Sequence, residues 1–421
     1  MNFSSRLSGN ALVFTVTISL VLGVICSFFI LLSFYNRQHQ SVHYTDRKLH
    51  ANFASAMNLV LADTVVYTIP RTDTLDLFGE QADSAVIRRE TWGLLGLATV
   101  SSFSGDRSRK KNFLYGSVLP SYMNACVYMA DHQRSLSLSG HTLLNGNAWL
   151  SKAGIRAAYL NQRPYVHNTL LNGRLQESED QLPALDPVFV EYLYRLADTT
   201  PFVKQQYDLR MLDSGLAAPF SDPVKEVVQP GVLLLENINL EGHIIVRSDS
   251  LIEVDASANL RNVILIAPVV KFRKGWKGAV QVIAKDSIVA AEDCHWEYPS
   301  ALVLLKSHKE NLQNKLIIDK KCIVDGMVLS VCDTADVYKS YVELGEGSKL
   351  TGIAYVMGYL SLKANVDGIV LTDYFIYRSP STVYENYLVD VTIDRNKLSS
   401  RYIGPSIFRD AGKRTVIAWV Q

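Results

Sequence analysis

The sequence predicts a mainly β protein in three parts: an N-terminal transmembrane helix, a small α+β unit, and a parallel β-solenoid. Three observations predict it. Residues 11–34, ALVFTVTISLVLGVICSFFILLSF, carry no charge. The stretch TLLNG at Thr142–Gly146 returns at Thr169–Gly173, 27 positions on (169 − 142). DGMVLS at Asp325–Ser330 is echoed by DGIVLT at Asp367–Thr372, 42 positions on (367 − 325).

Composition sets the bounds. The 421 residues are 48% hydrophobic and 20% charged, which marks a folded chain long enough for two or three domains. Lys+Arg is 42 and Asp+Glu is 41, so the basic surplus of a nucleic-acid footprint is missing and no nucleic-acid partner is expected. The local exception, KFRKGWKG at Lys271–Gly278, reads as a solvated turn between strands. The five cysteines (Cys26, Cys126, Cys294, Cys322, Cys332) show no CxxC spacing, so no metal and no cofactor is expected. Two readings of the last four stand: small buried apolar residues, or a disulfide if that part lies outside the cytoplasm.

Residues 1–10 read as a short cytoplasmic leader and 11–34 as the transmembrane helix. A helix of that length rises about 36 Å, enough for a hydrocarbon core of about 30 Å. Ala11, Leu12, Val13, Phe14, Leu20, Phe28 and Phe34 are its anchor residues and the lipid bilayer is its partner. The flanks, Arg6 against Arg37, Arg47 and Lys48, do not settle the orientation. The helical pattern continues past the membrane, with Leu49, Phe53, Met57 and Leu61 spaced by four. Residues 35–130 then form the α+β unit. LDLF, SAVIRRETWGLLGLATVSSF and NFLYGS read as strands, separated by the turn clusters GEQADS and SGDRSRKK.

From 131 the chain changes character. Short apolar stretches recur with Asn or Gly at their ends. Asn145, Gly146, Asn172 and Gly173, and later Asp325, Gly326, Asp367 and Gly368, read as corners, since Gly, Asn and Asp tolerate turn conformations. The first coils are placed at 131–186, an irregular or helical connection at 187–230, and the main solenoid at 231–421. Its last strand, within KRTVIAWVQ, is expected to close the open end. A β-sandwich is the alternative, but it gives no reason for echoed corners.

Two resemblances follow from these stretches. RLSGNALVFTVTISLVLGVICSFFILLSFYNR resembles the N-termini of type IV pilins and type II secretion pseudopilins, which have a basic leader ending in Gly, an apolar helix, and a head of helix plus meander. The resemblance implies cleavage between Gly9 and Asn10, an N-in topology, a bacterial inner-membrane location with the bulk extracytoplasmic, and other membrane or filament subunits as partners. Two departures stand out: Asn10 follows the cut, and Phe14 stands where most such subunits carry Glu. The coil region, GHIIVRSDSLIEVDASANLRNVILIAPVVKF (Gly242–Phe272) above all, is similar to the β-solenoid of bactofilins and looks like that of membrane-anchored Bacteroidota proteins. That second resemblance implies an envelope protein and no catalytic residues.

The search for chemistry yields little. In EDCHWEY (Glu292–Tyr298), Cys294 beside His295 offers a thiol nucleophile or a metal site, but neighbours on a strand face opposite ways. The strand reading puts Cys294 and Trp296 inside and His295 and Glu297 outside. GEGSKLTG (Gly345–Gly352) lacks the order of a phosphate-binding loop. Asp325 and Asp367, two coils apart, would stand about 9.6 Å from each other, near the wide limit for an inverting glycosidase pair; a corner Asp before Gly is also ordinary turn chemistry. Tyr374, Tyr377, Tyr384 and Tyr387 form a tyrosine-rich patch, readable as a partner or glycan surface or as a packing ladder. No catalytic residue is assigned. The sequence thus points to a non-enzymatic envelope scaffold or minor pseudopilin-like subunit of a secretion or pilus-type assembly. The alternative is a membrane-tethered β-helix enzyme or binding module acting on polysaccharide.

Overall fold

The computed structural model describes residues 9–77, 83–198, 206–207, 215–306, 312–332, 338–409 and 412–420. The leader before Gly9 and most of the GEQADS turn lie outside them. The chain forms two compact units. One comprises Met1–Asn58, Asp73–Ile87 and Val100–Lys110, the other Leu59–Thr72, Arg88–Thr99 and Lys111–Gln421.

A single helix, α1, runs from Gly9 to Ala62 without a break. Its apolar first half is bare: Leu12, Phe14, Leu20, Phe28 and Phe34 are all exposed, as are Ala11 and Val13. The hydroxyls there turn inward on the helix. Thr15 donates to Leu12 O at 2.9 Å, Ser19 to Thr15 O at 2.8 Å, Ser27 to Gly23 O at 2.8 Å, and Thr17 to Val13 O. Each of these four hydroxyls is thus satisfied by a carbonyl of its own helix. The second half is buried at Leu49, Phe53, Ala56 and Val60, while Met57 and Leu61 are only half-buried. The expected stripe of step four fails after Phe53 for a geometric reason. A step of four advances about 40° beyond a full turn, so three such steps rotate off the buried face; a step of three brings Ala56 back. In the first unit, Ser102 Oγ donates to Leu49 O at 3.2 Å, and Arg107 pairs with Asp46 at 3.0 Å.

A meander follows: β1 (Arg71–Leu75), β2 (Asp83–Trp92), β3 (Leu95–Ser104) and β4 (Arg107–Val118). The stretch expected as one strand, SAVIRRETWGLLGLATVSSF, is a hairpin instead. Gly93 sits at φ +59° and reverses the chain between β2 and β3. Gly105, at φ +56°, does the same between β3 and β4, so RSRKK belongs to β4 and not to the turn. Arg414–Val420 pairs antiparallel with β4 from Asn112 to Ser117. This corrects its expected role as the closing strand of the coils. Its alternation suits the meander: Trp419 meets Phe113 edge-on at 5.4 Å, and the Lys111 ammonium lies 5.2 Å from the same indole.

Most of the other strands form one large sheet that closes on itself, and its pairings are parallel but for the short Val383–Glu385, which runs antiparallel to Asn365–Arg378. One column of partners shows the stacking: Ile245, Ile264, Gln281, Ala301, Met327, Ile353 and Ile369, each beside the next. The stack then takes up an earlier piece of chain. Val370 lies beside Val127 of β5 (Ala125–Met129), Val127 beside Ala148, and Ala148 beside Leu175. The strands met first in the sequence are therefore last in the stack. The parallel pairing also begins before 231, with Gly215–Ala218 on Asn239–Gly242 and Lys225–Gln229 on Ile244–Ser248.

Two cores result. Inward side chains (Val246, Leu265, Val282, Leu302, Val328, Ala354, Val370) fill the stack. The other side of the same strands (Ile245, Ile264, Ile283, Val303, Leu329, Tyr355) packs with Trp92, Leu95, Leu114 and Phe189, the last on helix α2 (Pro187–Leu196). Strands covered on both faces read as continuous apolar runs, not as alternation. That is why VILIA and GMVLSV carry no period of two.

Candidate functional site

The corners come together as columns. Asn145 and Asn172, from the two TLLNG copies, form a parallel bridge. Asn172 Nδ2 donates to Asn145 Oδ1 at 2.7 Å, and Asn145 Nδ2 donates to Asp394 Oδ2 at 3.0 Å. Gly146 has φ +129°, whereas Gly173 needs to be glycine for another reason: a Cβ there would collide with the Gly146 carbonyl. The two DG pairs expected as corners lie inside strands, Ile323–Val331 and Asn365–Arg378, and stand two layers apart, Asp325 beside Thr351 beside Asp367, and Gly326 beside Gly352 beside Gly368. In that glycine column each missing Cβ leaves room for the carbonyl of the layer before, Ser300, Gly326 and Gly352 in turn.

Both carboxylates of the pair considered for glycan chemistry are engaged by cations or an imidazole. Asp325 Oδ2 lies 3.0 Å from His295 Nε2. Asp367 lies 2.6 Å from Lys349 Nζ and 3.9 Å from Lys397 Nζ. In EDCHWEY, Cys294 and Trp296 are buried while Glu297 is exposed. Two cations of the basic run at 271–278 are paired along the stack. Arg273 reaches Glu253 at 2.7 Å and Asp255 at 3.1 Å, and Lys274 reaches Glu292 at 3.1 Å and Asp293 at 3.4 Å. Asp255 is held down to about 2 by hydrogen bonds from the Ser257 backbone and hydroxyl and from Arg273. Among the described residues, no three His, Cys, Asp or Glu side chains are grouped to hold a metal.

The tyrosines line up by register: Tyr341 beside Tyr359, Tyr359 beside Tyr374. Tyr359 and Tyr374 are 5.5 Å apart, Tyr384 and Tyr387 5.4 Å, and Tyr377 and Tyr384 6.5 Å. Tyr374, Tyr377, Tyr384 and Tyr387 are all half-buried, so much of their ring surface is spent on one another.

A cleft that sequence reasoning missed lies at the head of this column. Helix α2 is set by Asp186, whose Oδ1 accepts from Val188 N at 2.8 Å and Phe189 N at 3.2 Å, with Pro187 in the first turn. The helix and the chain before it roof a cavity of about 550 Å³ against the stack, with His132, Cys332, Lys339, Tyr355 and Asp373 among its lining. The His132 ring lies flat on Tyr374, 4.1 Å between centroids, and Lys339 Nζ is 4.9 Å from that ring. Burial raises the Asp373 carboxyl, against the opposing pull of Lys339 and His132; Lys339 Nζ stands 3.8 Å from it. Burial likewise lowers the His132 imidazole. Its Nε2 is buried with no hydrogen-bond partner among the described residues. Burial thus favours the neutral form of both groups, and each can hydrogen-bond a polar group, while Leu182, Val190 and Met357 offer an apolar wall. No local motif announces the site, because its polar residues come from positions 132, 339 and 373.

A wider cavity of about 730 Å³ lies beside Asp325, lined by Tyr298, Arg401, Tyr402 and Ile417 among others. Its tyrosine hydroxyls are used structurally: Tyr298 donates to Ile403 O at 2.9 Å and Tyr402 to Gly326 O at 3.0 Å.

Comparison with known proteins adds little to this geometry. No family model matches the sequence. No curated protein matches it. Among solved structures, the competence-associated pilin ComZ from Thermus thermophilus aligns over 85% of this chain and 88% of its own, at 8% identity and a TM-score of 0.20. A likeness that slight carries no argument about fold or function. The bactofilin and Bacteroidota resemblances find no counterpart in these comparisons.

Proposed function

We propose that this chain is a membrane-tethered, non-enzymatic scaffold or minor pseudopilin-like subunit of a pilus or secretion-type assembly. In this reading the closed parallel sheet is a β-solenoid held outside the cytoplasmic membrane. The observation that carries the reading is α1. One unbroken helix is bare and apolar from Ala11 to Phe34 and buries one face, Leu49, Phe53, Ala56 and Val60, beyond it, and an antiparallel meander follows. That is the helix-plus-meander plan of the pilin resemblance. A helix that continues to Ala62 also argues for a retained anchor over a removed signal sequence. Most of the stack's striking residues are spent internally, as corners, columns and ion pairs, which suits a scaffold.

The test is topological. Glu236, exposed on the stack, is changed to Cys in the full-length protein and probed with a membrane-impermeant maleimide. Labelling once the outer membrane is opened, with the inner membrane intact, is expected. Labelling only after inner-membrane lysis overturns the placement. A second reading, a tethered module acting on or binding polysaccharide, is favoured by the His132–Asp373 cleft. Binding or cleavage by the full-length protein in detergent across a glycan panel, lost in Asp373→Asn, would support it over the first.

A further inference from the structure

His295 lies beside Ile323 in parallel register, and Ile323 N donates to Cys294 O at 2.8 Å. Cys294 and Cys322, one residue earlier, therefore hold the same position in two consecutive coils. Paired strands stand about 4.8 Å apart, inside the Cα separation of about 4.4–6.8 Å that a disulfide requires. Both side chains point into the stack, at 1% and 0% exposure. Cys294 Sγ lies 3.2 Å from Arg273 O and Cys322 Sγ 3.2 Å from Ala291 O, each reaching back to the coil before its own. Both thiols are free in this structure, each held to a main-chain carbonyl.

We propose that Cys294 and Cys322 form a disulfide that staples consecutive coils of the stack. The oxidant is an external disulfide, either a protein dithiol–disulfide carrier or a small-molecule disulfide. The Cys294 thiolate attacks one of its sulfurs, the oxidant's S–S bond breaks, and one oxidant thiolate leaves and takes up the proton that Cys294 gave up. Cys322, deprotonated in turn, attacks the Cys294 sulfur of the mixed disulfide and expels the second oxidant thiolate. Two protons and two electrons pass to the oxidant, which leaves as two thiols. Either thiol can ionise first while the chain is still open; the other then resolves the mixed disulfide. Because both sulfurs are buried, the bond closes while the coils assemble, and the folded reduced protein resists oxidants.

Bond formation in the cell rests on the extracytoplasmic placement proposed above; its formation in vitro does not. The full-length chain is synthesised cell-free into detergent micelles under a glutathione redox buffer, then denatured and alkylated with N-ethylmaleimide. The expected mass shows three of the five thiols labelled, and peptide mapping finds 294 linked to 322. Cys294→Ser should show all four remaining thiols labelled, while Cys126→Ser keeps the link. Five labelled thiols in the parent, or a link between any other pair, overturns the proposal. A bond made in vitro but absent from protein drawn from cells counts against the placement and not against the bond.

Discussion

Gln281 clasps the turn before Leu94. Its Oε1 accepts from Leu94 N at 2.6 Å, and its Nε2 donates to Trp92 O at 3.0 Å. One side chain of the parallel stack thus satisfies both backbone groups of the β2–β3 turn, and it is buried. Gln281→Leu removes both partners at once and leaves a buried N–H and C=O unpaired. Such groups cost about 1–3 kcal/mol each, so the variant should lose about 2–6 kcal/mol in stability. Gln281→Glu restores the acceptor only and should fall between. Denaturant midpoints of the full-length protein in detergent check the order.

That clasp marks the limit of sequence reading. Gln281 sits 187 residues from Leu94, and nothing local links them. The hairpin at Gly93 was hidden for a related reason. Trp92, Leu94 and Leu95, on either side of the turn, are all buried, so hydrophobicity does not dip there. The apolar run of α1 was legible because it depends on composition alone. The equivalence of these positions was legible because Asn-Gly and Asp-Gly repeat, but not that both Asp-Gly pairs lie inside strands. Repeats reveal equivalent positions but not stacking order, so the placing of Ala125–Met129 after Asn365–Arg378 was invisible.

Asp63 should make the protein acid-sensitive. Burial pushes its carboxyl up, but hydrogen bonds from Tyr67 and Val65 N and the charges of Arg89 and Arg414 outweigh it and leave it lowered. Arg89 and Asp63 are both largely buried as a pair. A carboxyl with a depressed folded value adds stability above its unfolded value of about 3.9 and loses it as pH falls through the lower folded value. His132 and His243, both lowered by burial, add to the same trend from about pH 6.5 downward. Thermal midpoints of the parent should fall below pH 4 more steeply than those of Asp63→Asn. Parallel curves would refute the assignment.

Leader processing gives a mass prediction. Removal of residues 1–9 leaves Asn10 as the N-terminus, at the first turn of α1. Intact mass spectrometry of protein purified from cells should find that shortened chain. A retained Met1 would remove the pseudopilin part of the proposal and leave the helix as an anchor.

The corner columns make the last prediction, and it separates two reasons for glycine. Gly146 sits at φ +129°, where any Cβ is strained, and a side chain there would also crowd Arg395 and Cys126. Gly173 has no left-handed φ, yet its Cβ would strike the Gly146 carbonyl across the bridge. Gly146→Val should therefore cost about 1–3 kcal/mol through local strain. Gly173→Ala should instead push the outer layer away and break the Asn172 to Asn145 hydrogen bond, worth about 1 kcal/mol. The two are distinguishable by hydrogen exchange. Gly146→Val lowers protection on both sides of the corner, including Leu143 N, which bonds to Val391 O at 2.9 Å. Gly173→Ala exposes Asn172 N and Gly146 N, which bond across the bridge at 2.9 and 3.1 Å, and leaves Leu143 N protected. Equal loss at all three amides in both variants would mean that the two TLLNG copies answer to one constraint and not two.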